Sequence, residues 1–173
     1  IECSKTERAD WFYATLGGIG LTGIILEAKI QLRSVQGPWI LSETIPYHNL
    51  DEFFALSDSS EADWEHTVSW IDCMNGANAK GLFARGNLAN EHTQAEPKIK
   101  DKTFPITPPI SLVNKLSLPI FNFAYFHGNS LKKQPQTVHY EPFFYPLDAM
   151  HEWNKMYGPK GFYQYQSVVP KEV

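Results

Sequence analysis

Cysteine is scarce: Cys3 and Cys73 are the only two among 173 residues. Two isolated thiols build neither a disulfide framework nor a cysteine zinc site. Cys73 therefore reads as a small buried apolar residue and Cys3 as a free thiol near a chain end. Long apolar runs are missing too, since none reaches the roughly 20 residues needed to span a bilayer. Positive charge is not in excess: 15 Lys and Arg face 19 Asp and Glu, a net charge of −4. That balance disfavours a nucleic-acid partner. The six histidines lack spacing of the H-E-x-x-H kind, which argues against zinc, and no metal site is expected. With no G-x-S-x-G elbow and no cysteine beside an evident base, hydrolase chemistry has no support. What is present is the composition of a folded globular chain, 43% hydrophobic and 14% aromatic, enough for one sizeable domain or a small pair.

The most informative stretch is Gly17-Gly18-Ile19-Gly20-Leu21-Thr22-Gly23. Gly18, Gly20 and Gly23 spell G-x-G-x-x-G, the dinucleotide fingerprint, and Glu43 lies about 20 residues on, where a ribose-binding acid would stand. A dinucleotide loop must open a helix, because the pyrophosphate sits on the helix N-terminus. Here Ile24, Leu26, Ala28, Ile30 and Leu32 alternate with Glu27, Lys29, Gln31 and Arg33, which is the period of a half-buried strand. The NAD reading is rejected on that ground. A glycine turn feeding a strand remains a place where backbone can approach a phosphate or a flavin closely.

Patterning along the chain predicts a short helix over residues 8–15 with Asp10 as N-cap, then a strand over 24–35. Gly37-Pro38 is the boundary candidate. A strand follows over 39–47, and an Asn49-capped helix over 49–56. Strands over 65–74 and 80–85 are joined by Asn75-Gly76-Ala77-Asn78 as a hairpin. Residues 90–102 read as loop, and 104–119 as a proline-rich stretch with one short helix at 112–116. Residues 122–125 fit neither pattern. A strand is predicted over 138–145, a helix over 147–156, a turn at Gly158-Pro159-Lys160-Gly161 and a final strand over 162–169. The expected fold class is α+β, a mainly antiparallel sheet with helices packed on one face.

Two constellations could carry chemistry. Gln164 and Gln166 would share one face of the final strand, and their amides supply donors and acceptors for a sugar hydroxyl. The alternative is a plain solvent-facing sheet surface. On the 65–74 strand, His66, Val68, Trp70 and Asp72 share a face, so Trp70 either walls a pocket or belongs to the core. Asp148 and Glu152, at i and i+4 of the predicted helix, read as solvated charges, with Asp148 at its cap or first turn.

Three segments together resemble one family. The first runs from Ala9-Asp10-Trp11-Phe12-Tyr13-Ala14-Thr15-Leu16 through the glycine segment to Ile24-Ile25. The second is Val68-Ser69-Trp70-Ile71-Asp72 with Ala84-Arg85-Gly86-Asn87. The third runs from Phe144-Tyr145-Pro146-Leu147-Asp148 through Glu152-Trp153-Asn154 to Gly161-Phe162-Tyr163-Gln164-Tyr165-Gln166-Ser167 and Pro170. They resemble the FAD-linked oxidases of the vanillyl-alcohol-oxidase (PCMH) type, and within them the decaprenylphosphoryl-ribose 2′-oxidase group. The resemblance implies that residues 1–36 are the C-terminal remnant of an FAD-binding domain, its last helix and strand. Residues 37–173 would be the N-terminal part of a substrate-binding or cap domain.

It also implies that Gly17, Gly18, Gly20, Gly23 and Ile24 lie near the flavin, and that Trp70, Phe144, Gln164 and Gln166 line the sugar side. The position of Phe144 is usually tyrosine in the family, so a hydroxyl is lost and the substrate is expected to differ. The implied reaction oxidises a secondary alcohol of a lipid-linked sugar to a ketone, with FAD taking the hydride. The family's pyrophosphate loop lies upstream of these motifs, and its catalytic lysine and reactive cysteine lie downstream. No catalytic residue is therefore expected in this chain, nor tight FAD binding or turnover by it alone.

The opening at Ile1 and the helix-like ending Pro170-Lys171-Glu172-Val173 lead us to expect a piece of a longer protein. An absent targeting segment then says nothing of the parent, which is expected to be cytoplasmic or peripheral to a membrane. Implied partners are a small-molecule or lipid-linked sugar and a short-chain reductase, with a homodimer through an exposed sheet edge. Two other readings stand beside this one: a sugar-lactone oxidase of the same flavin superfamily, and a non-catalytic α+β binding module.

Overall fold

The computed structural model describes residues 1–89, 102–132 and 135–167, with only the backbone of Ala77. The chain divides into two compact units, Ile1–Ser34 and Val35–Val173.

In the first unit, α1 (Ala9–Thr15) follows Arg8, which takes a left-handed conformation with φ 48°. Asp10 is not the cap as expected; it sits in the first turn, where its charge suits the helix dipole. The glycine segment then ends the helix instead of opening one. Gly18 donates to the Thr15 carbonyl at 3.1 Å, Leu21 to Gly18 at 2.9 Å and Gly23 to Gly20 at 3.2 Å. Gly17, Gly20 and Gly23 have φ of 69°, 76° and 130°, conformations that a Cβ disfavours. The strand expected over 24–35 does not form, and residues 24–33 have no regular structure. Alternation supplies a strand with a face but not with a neighbour to hydrogen-bond, and no described strand pairs here. Leu26 is accordingly 94% exposed.

The second unit is built on a four-stranded sheet in the order β2-β3-β1-β5, antiparallel throughout. Its strands are β1 (Trp39–Tyr47), β2 (His66–Ile71), β3 (Gly81–Leu88) and β5 (Gln136–His139). Between β2 and β3 the chain turns through a 3-10 segment, Cys73–Asn78, kinked at Gly76 with φ 58°. Cys73 on this turn is exposed, not buried as its apolar character suggested. Helix α2 (Leu50–Ser60) carries a reciprocal cap: Asn49 accepts from the Glu52 N–H at 2.8 Å, and Glu52 accepts from the His48 N–H at 2.7 Å.

The α+β class and the antiparallel sheet agree with expectation, but the helices divide between two faces. Phe53 of α2 meets Tyr47 and Phe83 on one side. Helices α3 (Ser117–Ser130) and α4 (Tyr140–Phe144) pack on the other side, where Ile40 and Leu82 point. Both faces of β1 and β3 carry buried apolar residues, so both must be covered. Arg85 ties α2 to the sheet: its guanidinium donates to Glu43 at 2.9 and 2.6 Å and to Ser60 at 3.2 Å, and it lies 4.7 Å from the Trp64 ring.

Other elements shift from their predicted places. No helix forms at 112–116, because the Asn114 side chain accepts from the Leu116 and Ser117 N–H groups and starts α3 one turn later. Pro119 then sits in the first turn, where its missing N–H costs nothing. The strand expected over 138–145 stops at His139 and becomes α4, with Pro142 in its first turn. The helix expected over 147–156 is instead a turn, a two-residue parallel pairing of β6 (Met150–His151) with β4 (Lys102–Thr103), and the 3-10 turn Trp153–Tyr157. Glu152 has φ 55°, which no α-helix accommodates, so Asp148 and Glu152 do not share a helix face and Asp148 caps none. Residues 162–167 have no regular structure, while 168–169 and most of the 90–102 loop lie outside the described residues.

Candidate functional site

Strand β2 is an edge of the sheet, and its alternation turns His66, Val68 and Trp70 toward the α3 and α4 side. At one end of this row the Trp70 ring meets Tyr125 of α3, with centroids 4.9 Å apart. Tyr125 in turn stacks on Phe121 at 5.7 Å. At the other end Phe144 of α4 stands edge-on to His66 at 5.0 Å. Four residues of extended strand place His66 and Trp70 ~13 Å apart. The result is a strip with an aromatic pair at each end and Val68 between them.

Two fixtures hold the helices that supply these rings. Asn122 donates to Asp72 at 2.8 Å, both side chains being buried, which fastens α3 to the end of β2. Phe143 packs on Gly86 and Ile40, which seats α4 against β3 and β1 and places Phe144 beside it. The His66 Nε2 lies 3.7 Å from the Glu65 carboxylate.

The structure therefore brings Trp70 and Phe144 onto one face. It does not do the same for Gln164 and Gln166. Both are exposed in the irregular segment after Gly161, so the expected strand that would have aligned them is absent. At the start of that segment the Phe162 ring stacks on Tyr157 at 4.1 Å. Sequence reasoning put His66 on the face of Trp70 but did not foresee its contact with Phe144, and it missed Tyr125 and Phe121. The signal for the last two was available: 121 and 125 are one helical turn apart, but Pro119 and Asn122 obscured the helix. Gly17, Gly18, Gly20, Gly23 and Ile24 all belong to the first unit, where Ile24 is exposed. Among the described residues no cluster of three or more His, Cys, Asp or Glu could hold a metal.

Comparison with known proteins adds the decisive observation. Over 177 aligned residues the chain is 36% identical to decaprenylphosphoryl-beta-D-ribose oxidase of Mycolicibacterium smegmatis (strain ATCC 700084 / mc(2)155), covering 95% of this chain. The chain is a relative of that oxidase. It spans 38% of the length of the decaprenylphosphoryl-beta-D-ribose oxidase, so it corresponds to part of the larger protein. Coverage of 95% also means that both compact units take part in the match. No protein-family model and no solved structure matches the chain.

Proposed function

We propose that this chain is part of an FAD-dependent oxidoreductase that oxidises a secondary alcohol of a polyprenyl-phosphoryl-ribose-like sugar to a ketone. The observation that carries the reading is its 36% identity to decaprenylphosphoryl-beta-D-ribose oxidase over 95% of the chain. Residues 1–36 are then the closing part of the FAD-binding domain and 37–173 the opening part of the substrate-binding domain.

The glycine segment suits a flat cofactor. Gly17, Gly20 and Gly23 combine positive φ with open space where a Cβ would project, so a ring can approach the backbone there. Gly18 has another reason to be glycine, since a Cβ would run into the Ala14 carbonyl at 2.2 Å. Ile24 adds an exposed apolar edge beside it. FAD, when bound, supplies the two-electron acceptor for the alcohol carbon. Trp70 and Phe144 exclude water from the sugar and orient it between aromatic walls. The amides of Gln164 and Gln166 hold its hydroxyls. Phe144 brings no hydroxyl, so the sugar receives one hydrogen bond fewer at that wall. A short-chain reductase that takes the ketone onward is the implied partner, at a membrane periphery suited to a lipid-linked sugar.

The test uses the full-length protein with its flavin. Anaerobic addition of polyprenyl-phosphoryl ribose should bleach the oxidised-flavin visible band, and Trp70→Ala should raise KM about tenfold, the loss of one aromatic wall. Bleaching by a sugar lactone but not by the ribosyl lipid would replace this reading with that of a lactone oxidase. Purification without flavin would leave the binding-module reading.

A further inference from the structure

We propose that α3 is a membrane-surface helix, docking the protein on an anionic lipid surface with its solvent-facing apolar side. The helix buries Asn122 and Phe126 against the sheet, yet its opposite side is apolar as well. Leu116 is 82% exposed, Ile120 73% and Phe123 61%, and Phe121 and Leu131 are exposed beside them. Taking ~100° per residue, Phe123, Leu116, Ile120, Leu131 and Phe121 cover an arc of roughly 160°, in which the exposed His127 and the half-buried Ser117 are the polar members. No formally charged side chain of α3 lies in that arc.

Charge decides the occupant. From Leu112 to Lys132 the sequence contains no Asp or Glu, although the whole chain carries −4. The only formal cations in that span, Lys115 and Lys132, stand just outside the two ends of the helix, and both are exposed. An apolar face bounded by lysines and free of acids matches phosphate headgroups over an acyl layer. The helix is too short and insufficiently apolar to cross a bilayer, so it lies on the surface. This inference rests on α3 alone and stands whether or not the oxidase reading holds.

The experiment is co-sedimentation of the full-length protein with vesicles of phosphatidylglycerol and phosphatidylcholine, against phosphatidylcholine alone. Binding to the anionic vesicles should exceed binding to the neutral ones at least tenfold. Lys115→Glu with Lys132→Glu should remove most of that preference, each lysine contributing about fivefold. Ile120→Ser with Phe123→Ser should abolish binding to both. Absence of wild-type binding, or binding indifferent to both pairs of substitutions, would overturn the proposal. The thermal midpoint without vesicles is the second readout. Exposed side chains leave it unchanged, whereas a drop in the Ile120→Ser, Phe123→Ser protein would mean that a protein segment or a second copy covers this face, and the proposal fails.

Discussion

Residues 39–47 and 24–33 are both expected as strands, the second on the cleaner alternation, and only the first becomes one. Strand β1 lies between β3 and β5, so its backbone groups are paired on both sides. Residues 24–33 meet no described partner strand and stay exposed. Alternation in a sequence thus specifies which side chains share a face, while the neighbouring strands decide whether the face exists.

The sharpest way to break this comparison is at the paired region. Gly81→Ala should cost about 3 kcal/mol in urea unfolding, because its Cβ would meet the Trp70 carbonyl at 2.3 Å and the Tyr47 ring at the same distance. A neutral result would mean that β2 and β3 are not held in this register. Arg85→Ala should cost about 2 kcal/mol, since it strands the half-buried Glu43 carboxylate and releases Ser60 of α2. Rescue by Arg85→Lys should be incomplete, because a single ammonium cannot reproduce the three donated bonds.

A smaller effect concerns pH. The hydrogen bond from the His48 backbone N–H holds the Glu52 carboxylate below its ordinary pKa and outweighs the desolvation that would raise it. A depressed carboxylate stabilises the fold above its unfolded pKa, and the contribution is lost as pH falls through the folded value. The helical signal of α2 should therefore weaken only on the acid side of the usual glutamate range, and Glu52→Gln should flatten that dependence. The smallest effect is expected at the unpaired region: Leu26→Thr should change stability by no more than about 0.5 kcal/mol, as at other exposed positions. A cost comparable to that of Gly81→Ala would show that residues 24–33 do pair with a strand in the longer protein.

Legibility followed the range of the interactions. The Asn49 cap and the β2–β3 hairpin were readable, because each is specified by residues close in sequence, and β1 was readable from its β-branched and aromatic residues although its partners are distant. The helix α3 was not, since Pro119 and the polar Asn122 mask its period, and Asn122 is buried only because Asp72, 50 residues away, receives its amide. The strand expected around Gln164 and Gln166 failed for the reason that residues 24–33 failed. Of the candidate strip, the alternation read in β2 put Trp70 on the face where it meets Tyr125, and the family resemblance pointed to Phe144. The sequence could not bring them together, because α4 reads as strand until Phe143 finds Gly86.

That glycine has a consequence for the spacing of the strip. A methyl group at position 86 would intrude on Ile40 at 2.6 Å and on Phe143 at 3.0 Å. The absence of one carbon in β3 thus sets how deep the neighbouring short helix rests, and through Phe143 it fixes the height at which the Phe144 ring guards its end of the strip. A side chain larger than glycine at this spot would shift Phe144 without touching it.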